Sequence, residues 1–201
     1  MIFRQIKAGP MQNFVYIIGD EKTKEAAIVD AGWDIKSVIL IAEKEGLKIS
    51  KIILTHSHFD HIQLAGELAV KTNACIYVHE SDFNEVSNSI RKSNPKITKV
   101  GDGDKILVGK IELKVMHTPG HTKGSICILA EDKLVTGDTL FVNAVGRTDL
   151  SGGDYKKLME SLGMLKKLND SIQVYPGHDY GKTAYSTIGY EKKNNPFMKD
   201  A

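Results

Sequence analysis

The chain has 201 residues, of which 41% are apolar and 26% are charged, as in an ordinary globular protein, and we expect one domain over residues 1–201. Lys and Arg outnumber Asp and Glu by only 27 to 25, so we expect neither nucleic acid nor an anionic membrane as a partner. No apolar run approaches the roughly 18 residues that span a bilayer, and the N-terminal residues lack the apolar segment of a secretory signal, so we expect a cytoplasmic protein.

The first half of the chain combines patterns typical of strands with two helical patterns. Asp34 is a suitable N-cap for a helix that carries apolar side chains at positions 35, 38, 39 and 42 and ends near Gly46. A second helix is predicted over 64–71, whereas the polar region 81–99 is predicted to be helical or irregular. The predicted strands are 2–7, 14–19, 26–30, 51–54 and 75–78.

The second half continues with strands and then helices. A helix over about 154–168 is indicated by Leu158, Leu162 and Leu165, which share one face, and a final helix over 187–194 is stopped by Pro196. The predicted strands are the hairpin 106–108 and 111–117, then 125–130, 133–136 and 173–175. Strands first, and then strands mixed with helices, predict two sheets covered by outer helices.

Three of the seven histidines fall within six residues, directly after the predicted strand 51–54. His56, His58 and His61 are interleaved with Asp60. Removing so many polar groups from water would cost several kcal/mol unless a cation or a hydrogen-bond network compensated for it. Imidazole and carboxylate are the expected ligands of zinc, iron or manganese. This turn therefore predicts a metal site.

Three more candidate ligands follow predicted strands in the second half. His121 ends the run H-T-P-G-H, Asp138 follows T-G, and His178 follows P-G. Junctions of strands and loops are the places where α/β proteins usually gather their site residues. Together with the histidine turn they make five His and two Asp. Seven ligands suffice for two ions, with three ligands for each ion and one carboxylate shared.

In this order and spacing, the motifs H-x-H-x-D-H, P-G-H-T, G-D and P-G-H resemble those of the metallo-β-lactamase superfamily over nearly the whole chain. The resemblance implies an α/β (α+β) fold, a four-layer αββα sandwich with the metals at one end of the two sheets. The chain departs from the pattern after His61, where Ile62 and Gln63 stand in place of the glycine pair of many members.

The resemblance also assigns the candidate ligands to two metal positions. The first position would use His56, His58 and His121, the second would use Asp60, His61 and His178, and Asp138 would bridge them. It implies two divalent ions, which we expect to be zinc, with iron or manganese as alternatives. Two such ions hold a bridging hydroxide between them. Asp60 and Asp138 are the expected catalytic carboxylates, and Asp60 would orient that hydroxide and take up a proton.

Within the superfamily, the chain is most similar to small glyoxalase II-like hydrolases of the hydroxyacylglutathione hydrolase type and to persulfide dioxygenases, through residues 146–149, 178–180 and 186–191. Antibiotic-degrading lactamases usually have Cys where this chain has Asp138. A thioester suits the predicted groups, because its thiol has a pKa of about 8.5 and leaves without a dedicated acid. We therefore predict a metal-dependent hydrolase that cleaves an acyl thioester.

Two other functions stay open. The first is a persulfide dioxygenase with a single iron, for which His56, His121 and Asp138 would form the triad of two His and one Asp. The second is a metal-stabilised binding module without catalysis. Open positions on a shared-carboxylate site serve mainly for chemistry, which favours an enzyme.

Three residues are candidates for the substrate-binding wall. Arg147 lies in a glycine-flanked loop, where it could clamp a substrate carboxylate or pair with Asp149 or Asp154 instead. Tyr180 and Lys192 are the other two. The expected partner is a small thioester. The oligomeric state is not visible in the sequence, although an uncovered edge strand could support a homodimer.

Overall fold

Strands and helices alternate along the chain. A computed structural model describes residues 1–201 apart from the side chain at position 200. Its strands are β1 (Ile2–Ala8), β2 (Asn13–Gly19), β3 (Glu25–Val29), β4 (Lys48–Ile53), β5 (Cys75–His79), β6 (Ile97–Val100), β7 (Lys105–Val108), β8 (Ile111–His117), β9 (Ile126–Ala130), β10 (Lys133–Gly137), β11 (Leu140–Phe141), β12 (Ala144–Val145), β13 (Gln173–Pro176) and β14 (Ser186–Thr187). Its helices are α1 (Ile35–Lys44), α2 (Phe59–Ile62), α3 (Ala65–Thr72), α4 (Phe83–Ile90), α5 (Tyr155–Leu165), α6 (Ile188–Asn194) and α7 (Pro196–Asp200), with a 3-10 turn at Arg91–Ser93.

The strands form two large sheets and one hairpin. The first sheet has the order β1-β2-β3-β4-β5-β6, the second has the order β14-β13-β10-β9-β8-β7, and β11 pairs with β12. Strands β3 to β6 are parallel in the first sheet, and β10 is parallel to β13 in the second. Because parallel strands end at the same edge of a sheet, the loops after β3 and β4 leave together, as do the loops after β10 and β13.

The strand β2 shows how the sequence places the sheets between outer helices. Successive side chains of a strand point to opposite faces of the sheet. Phe14, Tyr16 and Ile18 belong to the apolar cluster between the two sheets, whereas Val15 and Ile17 belong to the cluster beneath α1, α2, α3 and α4. Full burial of one such side chain contributes about 1.5–3 kcal/mol.

A third apolar cluster joins the second sheet to the helices of the C-terminal part. It combines Leu134 of β10 and Val174 of β13 with Leu158 of α5, Ile188 of α6 and Met198 of α7. The order of layers is therefore helices, sheet, sheet, helices. The predicted four-layer αββα sandwich is confirmed.

The two longest helices begin where the sequence predicts. Asp34 caps α1 by accepting a hydrogen bond from Ser37 N at 3.2 Å, and Asp154 caps α5 by accepting one from Lys157 N at 3.1 Å. Such caps contribute about 1 kcal/mol each. Helix α5 ends at Leu165, before the predicted end at residue 168. Within the described chain, no helix has the length and apolar character needed to cross a membrane.

Several short elements differ from the predictions, and three of them bear on the cavity or the edges of the fold. The region 81–99, predicted to be helical or irregular, contains α4 and the start of β6, an edge strand paired with β5. The hairpin of β11 and β12 has no counterpart among the predicted elements, because two residues in each strand carry no periodic pattern. Pro196 follows the end of α6 as predicted, but it also begins α7, where the first turn tolerates a residue without an N–H group.

Candidate metal centre

The predicted ligands lie in loops that follow strands of both sheets. The first sheet supplies four of them from the turn after β4, in which α2 forms one short helical turn, and the second sheet supplies three from the loops after β8, β10 and β13. The structure brings the seven predicted ligands together in groups whose ligand atoms lie within 4.8 Å of one another: His56, His58, Asp60, His61, His121, Asp138 and His178.

Asp30, which the sequence analysis does not name, holds the histidine turn in place. It directly follows β3, and its carboxylate accepts hydrogen bonds from Thr55 N at 2.8 Å, Thr55 Oγ1 at 2.7 Å and His61 Nδ1 at 2.9 Å. All three residues are buried. Thr55 Oγ1 also lies 3.0 Å from His56 Nδ1. One carboxylate thus orients two ligands of the turn, the role that carboxylates commonly have beside metal-binding histidines.

Four buried histidines share one hydrogen-bonding pattern. In each of them Nδ1 lies next to an acceptor: Thr55 Oγ1 for His56, an Asp30 oxygen for His61, the Arg147 carbonyl for His121 and the Met11 carbonyl for His178. A proton on Nδ1 satisfies that acceptor. The other nitrogen, Nε2, then keeps its lone pair for a metal ion.

The group of Asp60, His61 and His178 has distances suited to one ion. The two histidine Nε2 atoms are 3.1 Å apart, and each lies 3.4 Å from Asp60 Oδ2. Two ligands at about 2.0–2.1 Å from a tetrahedral zinc are about 3.3–3.4 Å apart. Asn13 Nδ2 donates to the same carboxylate oxygen at 2.8 Å and so fixes its position.

The remaining ligand atoms include buried groups that have no hydrogen-bond partner within the described protein. These atoms are His56 Nε2, His121 Nε2 and Asp138 Oδ1. Leaving a buried polar atom unpaired costs about 1–3 kcal/mol. A cation between His56, His58 and His121 would satisfy two of the three, so the donor set fits a divalent metal ion.

Asp138 lies between the two groups. Its Oδ2 is 3.3 Å from His178 Nε2 and 3.5 Å from His121 Nε2, and its Oδ1 is 3.4 Å from His61 Nε2. Gly137 allows this position, because its φ of 49° turns the chain sharply out of β10 and a Cβ there would press on the Thr55 side chain. A carboxylate in this place is suited to contact ions in both groups.

The charges of the site shift one another's pKa values. Burial lowers the pKa of His61, but the carboxylates of Asp138 and Asp30 outweigh burial and raise that pKa to about 9. Burial raises the pKa of Asp138, yet the His61 charge and the His178 hydrogen bond hold it well below its ordinary value. Burial lowers the pKa of His56. The centre therefore requires positive charge, which a proton on His61 or a bound divalent cation can provide.

A second buried carboxylate, Asp82, connects the loops that carry the first group of ligands. Its Oδ2 accepts from Ser57 N at 2.9 Å and from Thr122 Oγ1 at 2.8 Å, and its Oδ1 accepts from Gly124 N at 2.7 Å. Ser57 lies between two ligands of the turn, and Thr122 follows His121. Asp82 is not among the predicted site residues, because no short motif relates it to partners that lie 25 to 42 residues away.

A cavity of about 530 Å³ opens above the ligands. The ligands His58, Asp60, His121, Asp138 and His178 form its floor. Its wall is mainly apolar and consists of Met11, Phe59, Phe141, Ala144, Val145 and Leu150, together with the Tyr180 ring and the Arg147 side chain. The Tyr180 ring stacks on the His178 ring with 4.6 Å between centroids and 11° between planes. A volume of this size is typical of small-molecule sites.

The three predicted substrate-binding residues have different positions. Arg147 and Tyr180 line the cavity, and the Arg147 guanidinium makes two hydrogen bonds of 2.6 Å to Asp149. The structure does not bring Lys192 to the cavity. Its ammonium group contacts the Leu168 carbonyl at 3.0 Å and Asp170 at 2.5 Å, so we correct that assignment. Lys192 lies on α6, and a helix position alone did not indicate which way its side chain points.

Three known proteins illustrate what the chain is similar to. Hydroxyacylglutathione hydrolase GloC of Haemophilus influenzae is 34% identical over 202 residues, which cover 93% of this chain and 92% of that protein. The crystal structure of ETHE1 from Myxococcus xanthus has a TM-score of 0.86 at 33% identity, over 98% of this chain and 84% of that one. TTHA1623 in a di-iron-bound form has a TM-score of 0.82 at 28% identity, over 96% and 99%.

The similarity extends to the family as a whole. The sequence profile of the metallo-β-lactamase superfamily matches residues 8–178, a range that contains all seven candidate ligands. The superfamily consists mostly of hydrolytic enzymes that bind divalent metals. The matched range, the layer order and the relatives agree, and the chain belongs to the metallo-β-lactamase superfamily.

Proposed function

We propose that the chain is a hydrolase that cleaves an acyl thioester with the help of two divalent ions. The observation that carries the proposal is the convergence of seven ligand-type side chains in overlapping groups, with Asp138 between them. The similarity to a hydroxyacylglutathione hydrolase supports a thioester substrate. The similarity to a protein described in a di-iron-bound form supports two ions.

The residues of the chain divide the work of this reaction. Two divalent ions, when bound, acidify water and polarise the acyl carbonyl. Asp60 lies on the cavity floor with Oδ2 held by Asn13 Nδ2 at 2.8 Å, so it can orient the attacking water and accept its proton. A bound substrate would displace water from the apolar wall, which would strengthen the electrostatic interactions inside the cavity. A thiol with a pKa of about 8.5 leaves as thiolate, so no acid is needed beside it.

We propose zinc as the native ion. Five imidazoles and two carboxylates form a donor set of nitrogen and oxygen atoms, which zinc accepts readily. Iron and manganese accept the same donors. Metal analysis of the purified protein distinguishes the three.

Arg147 is our candidate for contact with a polar part of the substrate. Its guanidinium is exposed and lies at the cavity, paired with the exposed Asp149. Exposed ion pairs contribute only about 0–1 kcal/mol, so a substrate carboxylate can replace Asp149 at small cost. Arg147→Ala should raise KM for an acidic thioester by up to about fivefold, the equivalent of about 1 kcal/mol, and leave the metal content unchanged. An unchanged KM would remove Arg147 from the substrate wall.

The second candidate function is a dioxygenase that acts on a persulfide with one iron. The similarity to ETHE1 of Myxococcus xanthus favours it. In that case His56, His121 and Asp138 would hold the iron, and the ligand-type residues of the other group would stay without metal. Metal stoichiometry therefore separates the two functions, because the hydrolase needs both groups filled.

One experiment distinguishes the thioester hydrolase from the persulfide dioxygenase and from a binding module. The protein is purified, its zinc, iron and manganese are counted per chain, and two assays follow: release of thiol from S-lactoylglutathione and other thioesters, and oxygen consumption with glutathione persulfide. Two ions and thiol release are the expected result. One iron with oxygen consumption would contradict the hydrolase, and two ions without either turnover would favour a binding module.

A variant tests the shared carboxylate. Asp138→Ala should lose both metal and activity, because Asp138 lies beside His121 of one group and His178 of the other. Asp132→Ala is the control, since Asp132 lies on the exposed turn before β10. Full metal content in the Asp138→Ala protein would contradict its role as a bridge.

A further inference from the structure

The cavity above the ligands has one chemical character on its floor and another on its wall. The floor is polar and consists of metal ligands, whereas six apolar side chains contribute to the wall. Four large side chains at the cavity are exposed to solvent: Met11 at 38%, Phe59 at 61%, Leu150 at 41% and Tyr180 at 52%. Single exposed apolar residues are common, but a contiguous group beside a polar centre marks a binding surface.

Charge on the cavity wall is scarce. Among the described side chains that line the cavity, Arg147 is the single Lys or Arg, and its guanidinium already makes two hydrogen bonds to Asp149. A glutathione carrier brings two carboxylates and one ammonium group. The single cation of the wall is paired with Asp149 and can meet at most one of these carboxylates, so most of the affinity of the wall must come from another part of the substrate.

The apolar wall is suited to the acyl part of a thioester. Biological thiol carriers are polar or charged, so the acyl chain is the part that gains free energy by leaving water for an apolar surface. The carbonyl has to sit at the polar floor, which places the acyl chain within reach of the wall. The open mouth leaves room for a carrier that extends into solvent.

We propose that the preferred substrate of this cavity is a thioester with an extended apolar acyl chain, and that Leu150, Met11 and Phe59 bind this chain. This inference rests on the proposed thioester hydrolysis. It names a substrate class that differs from polar hydroxyacyl groups on glutathione. Leu150 is the most useful position for a test, because its loop contains none of the seven ligands.

The experiment uses the metal-loaded full chain and a series of acyl thioesters of N-acetylcysteamine. From acetyl to hexanoyl we expect kcat/KM to rise about tenfold. This equals about 1.4 kcal/mol, less than half of what four fully buried methylenes provide. Leu150→Ser should reduce the ratio of kcat/KM for the hexanoyl thioester to kcat/KM for the acetyl thioester to about threefold or less. Leu107→Ser is the matched control, because Leu107 is a similarly exposed leucine on β7 that does not line the cavity, and it should keep the ratio.

A binding measurement separates this inference from the proposed function. S-Alkyl thioethers of N-acetylcysteamine cannot be hydrolysed, and titration calorimetry should show tighter binding and a more negative heat-capacity change as the alkyl chain lengthens. Chain-length-dependent binding without hydrolysis of any thioester would contradict the proposed function and retain the apolar site. Hydrolysis of all thioesters with equal kcat/KM, or a preference for S-lactoylglutathione over hexanoyl, would overturn the inference and retain the function.

Discussion

Two buried carboxylates that are not predicted ligands hold the residues around the candidate metal centre in place. Asp30 binds Thr55 and His61, and Asp82 binds the loops around Ser57 and Thr122. Each of them accepts three hydrogen bonds, so each stabilises a specific arrangement of backbone and side chains. Removing such partners of ligands typically lowers metal affinity about 10- to 100-fold.

Asp82→Asn tests this role. The amide can accept only on one side, so its NH₂ group faces a donor among Ser57 N, Thr122 Oγ1 and Gly124 N, and we expect a loss of about 1–3 kcal/mol in the free energy of unfolding. We also expect about tenfold weaker metal binding, measured by competition with a chelator. Added substrate should restore neither the stability nor the metal affinity. Asp132→Asn serves as the exposed control. Unchanged metal affinity with normal folding would show that the two loops hold their positions without Asp82.

The sequence indicates the candidate ligands better than it indicates the residues that hold them in place. The seven predicted ligands, which the structure brings together, can be named from the sequence because each lies within a short motif after a predicted strand. Asp30 and Asp82 are not, because their partners are distant in the chain and only the fold brings them together. Lys192 is wrongly included for the same reason: a lysine on a helix can point toward or away from a cavity, and here it binds Asp170.

Among the elements, the hairpin of β11 and β12 connects the C-terminal helices to the cavity. It carries Phe141, Ala144 and Val145 of the wall. Glu191 of α6 is fully buried and accepts from the hairpin's Asn143 N at 2.9 Å. Asn195, between α6 and α7, donates to the Ala144 carbonyl at 3.1 Å. The last helices therefore fix one side of the cavity, although no predicted ligand lies on them.

Glu191→Ala should weaken this side of the cavity. The two oxygens of Glu191 accept from Ser186 Oγ at 2.6 Å, Asn143 N at 2.9 Å and Asn195 Nδ2 at 2.9 Å, and alanine leaves the two buried nitrogen donors without this acceptor. We expect the free energy of unfolding in urea to fall by about 1–3 kcal/mol and KM to rise several-fold while kcat changes little, because the candidate ligands are untouched. Glu160→Ala, at an exposed position of α5, is the control. A lower stability with unchanged KM would show that the hairpin does not depend on Glu191.

The length of an element decides how well its sequence predicts it. Strands such as β2 and helices such as α5 carry enough alternating or helical positions to be recognised. The two-residue strands of the hairpin do not. Strand β6 is as long as β7 and β13, which are predicted, but its two central residues, Thr98 and Lys99, are polar. These short elements are held by contacts with other parts of the chain, and β11 and β12 form part of the cavity wall.

For the molecule as a whole, the candidate metal centre draws on both sheets. Four predicted ligands follow β4 of the first sheet, and three follow strands of the second. Ions held by both sets would have to be released before the sheets could separate. Binding of a metal ion should therefore contribute to the stability of the entire sandwich as well as to catalysis.

Metal removal tests this coupling. A ligand present at 100 times its Kd stabilises the folded state by about 2.7 kcal/mol, which corresponds to about 5–10 °C in Tm for a chain of this size. We expect a chelator to lower Tm by at least that amount and added zinc to restore it. Asp138→Ala should lack most of the response to zinc. A Tm independent of free zinc in the original protein would contradict binding between the two sheets.

The hydrogen bond from His121 to the Arg147 carbonyl has a consequence for attempts to alter the selectivity of this chain. The backbone carbonyl of residue 147 contacts His121, whereas its side chain lines the cavity. The side chain can therefore be changed while the carbonyl is kept. Gly146 allows no such freedom, because a Cβ there would overlap the Asp138 carbonyl. A library of variants that changes residue 147 and keeps Gly146 should alter the substrate selectivity while the geometry of His121 is kept.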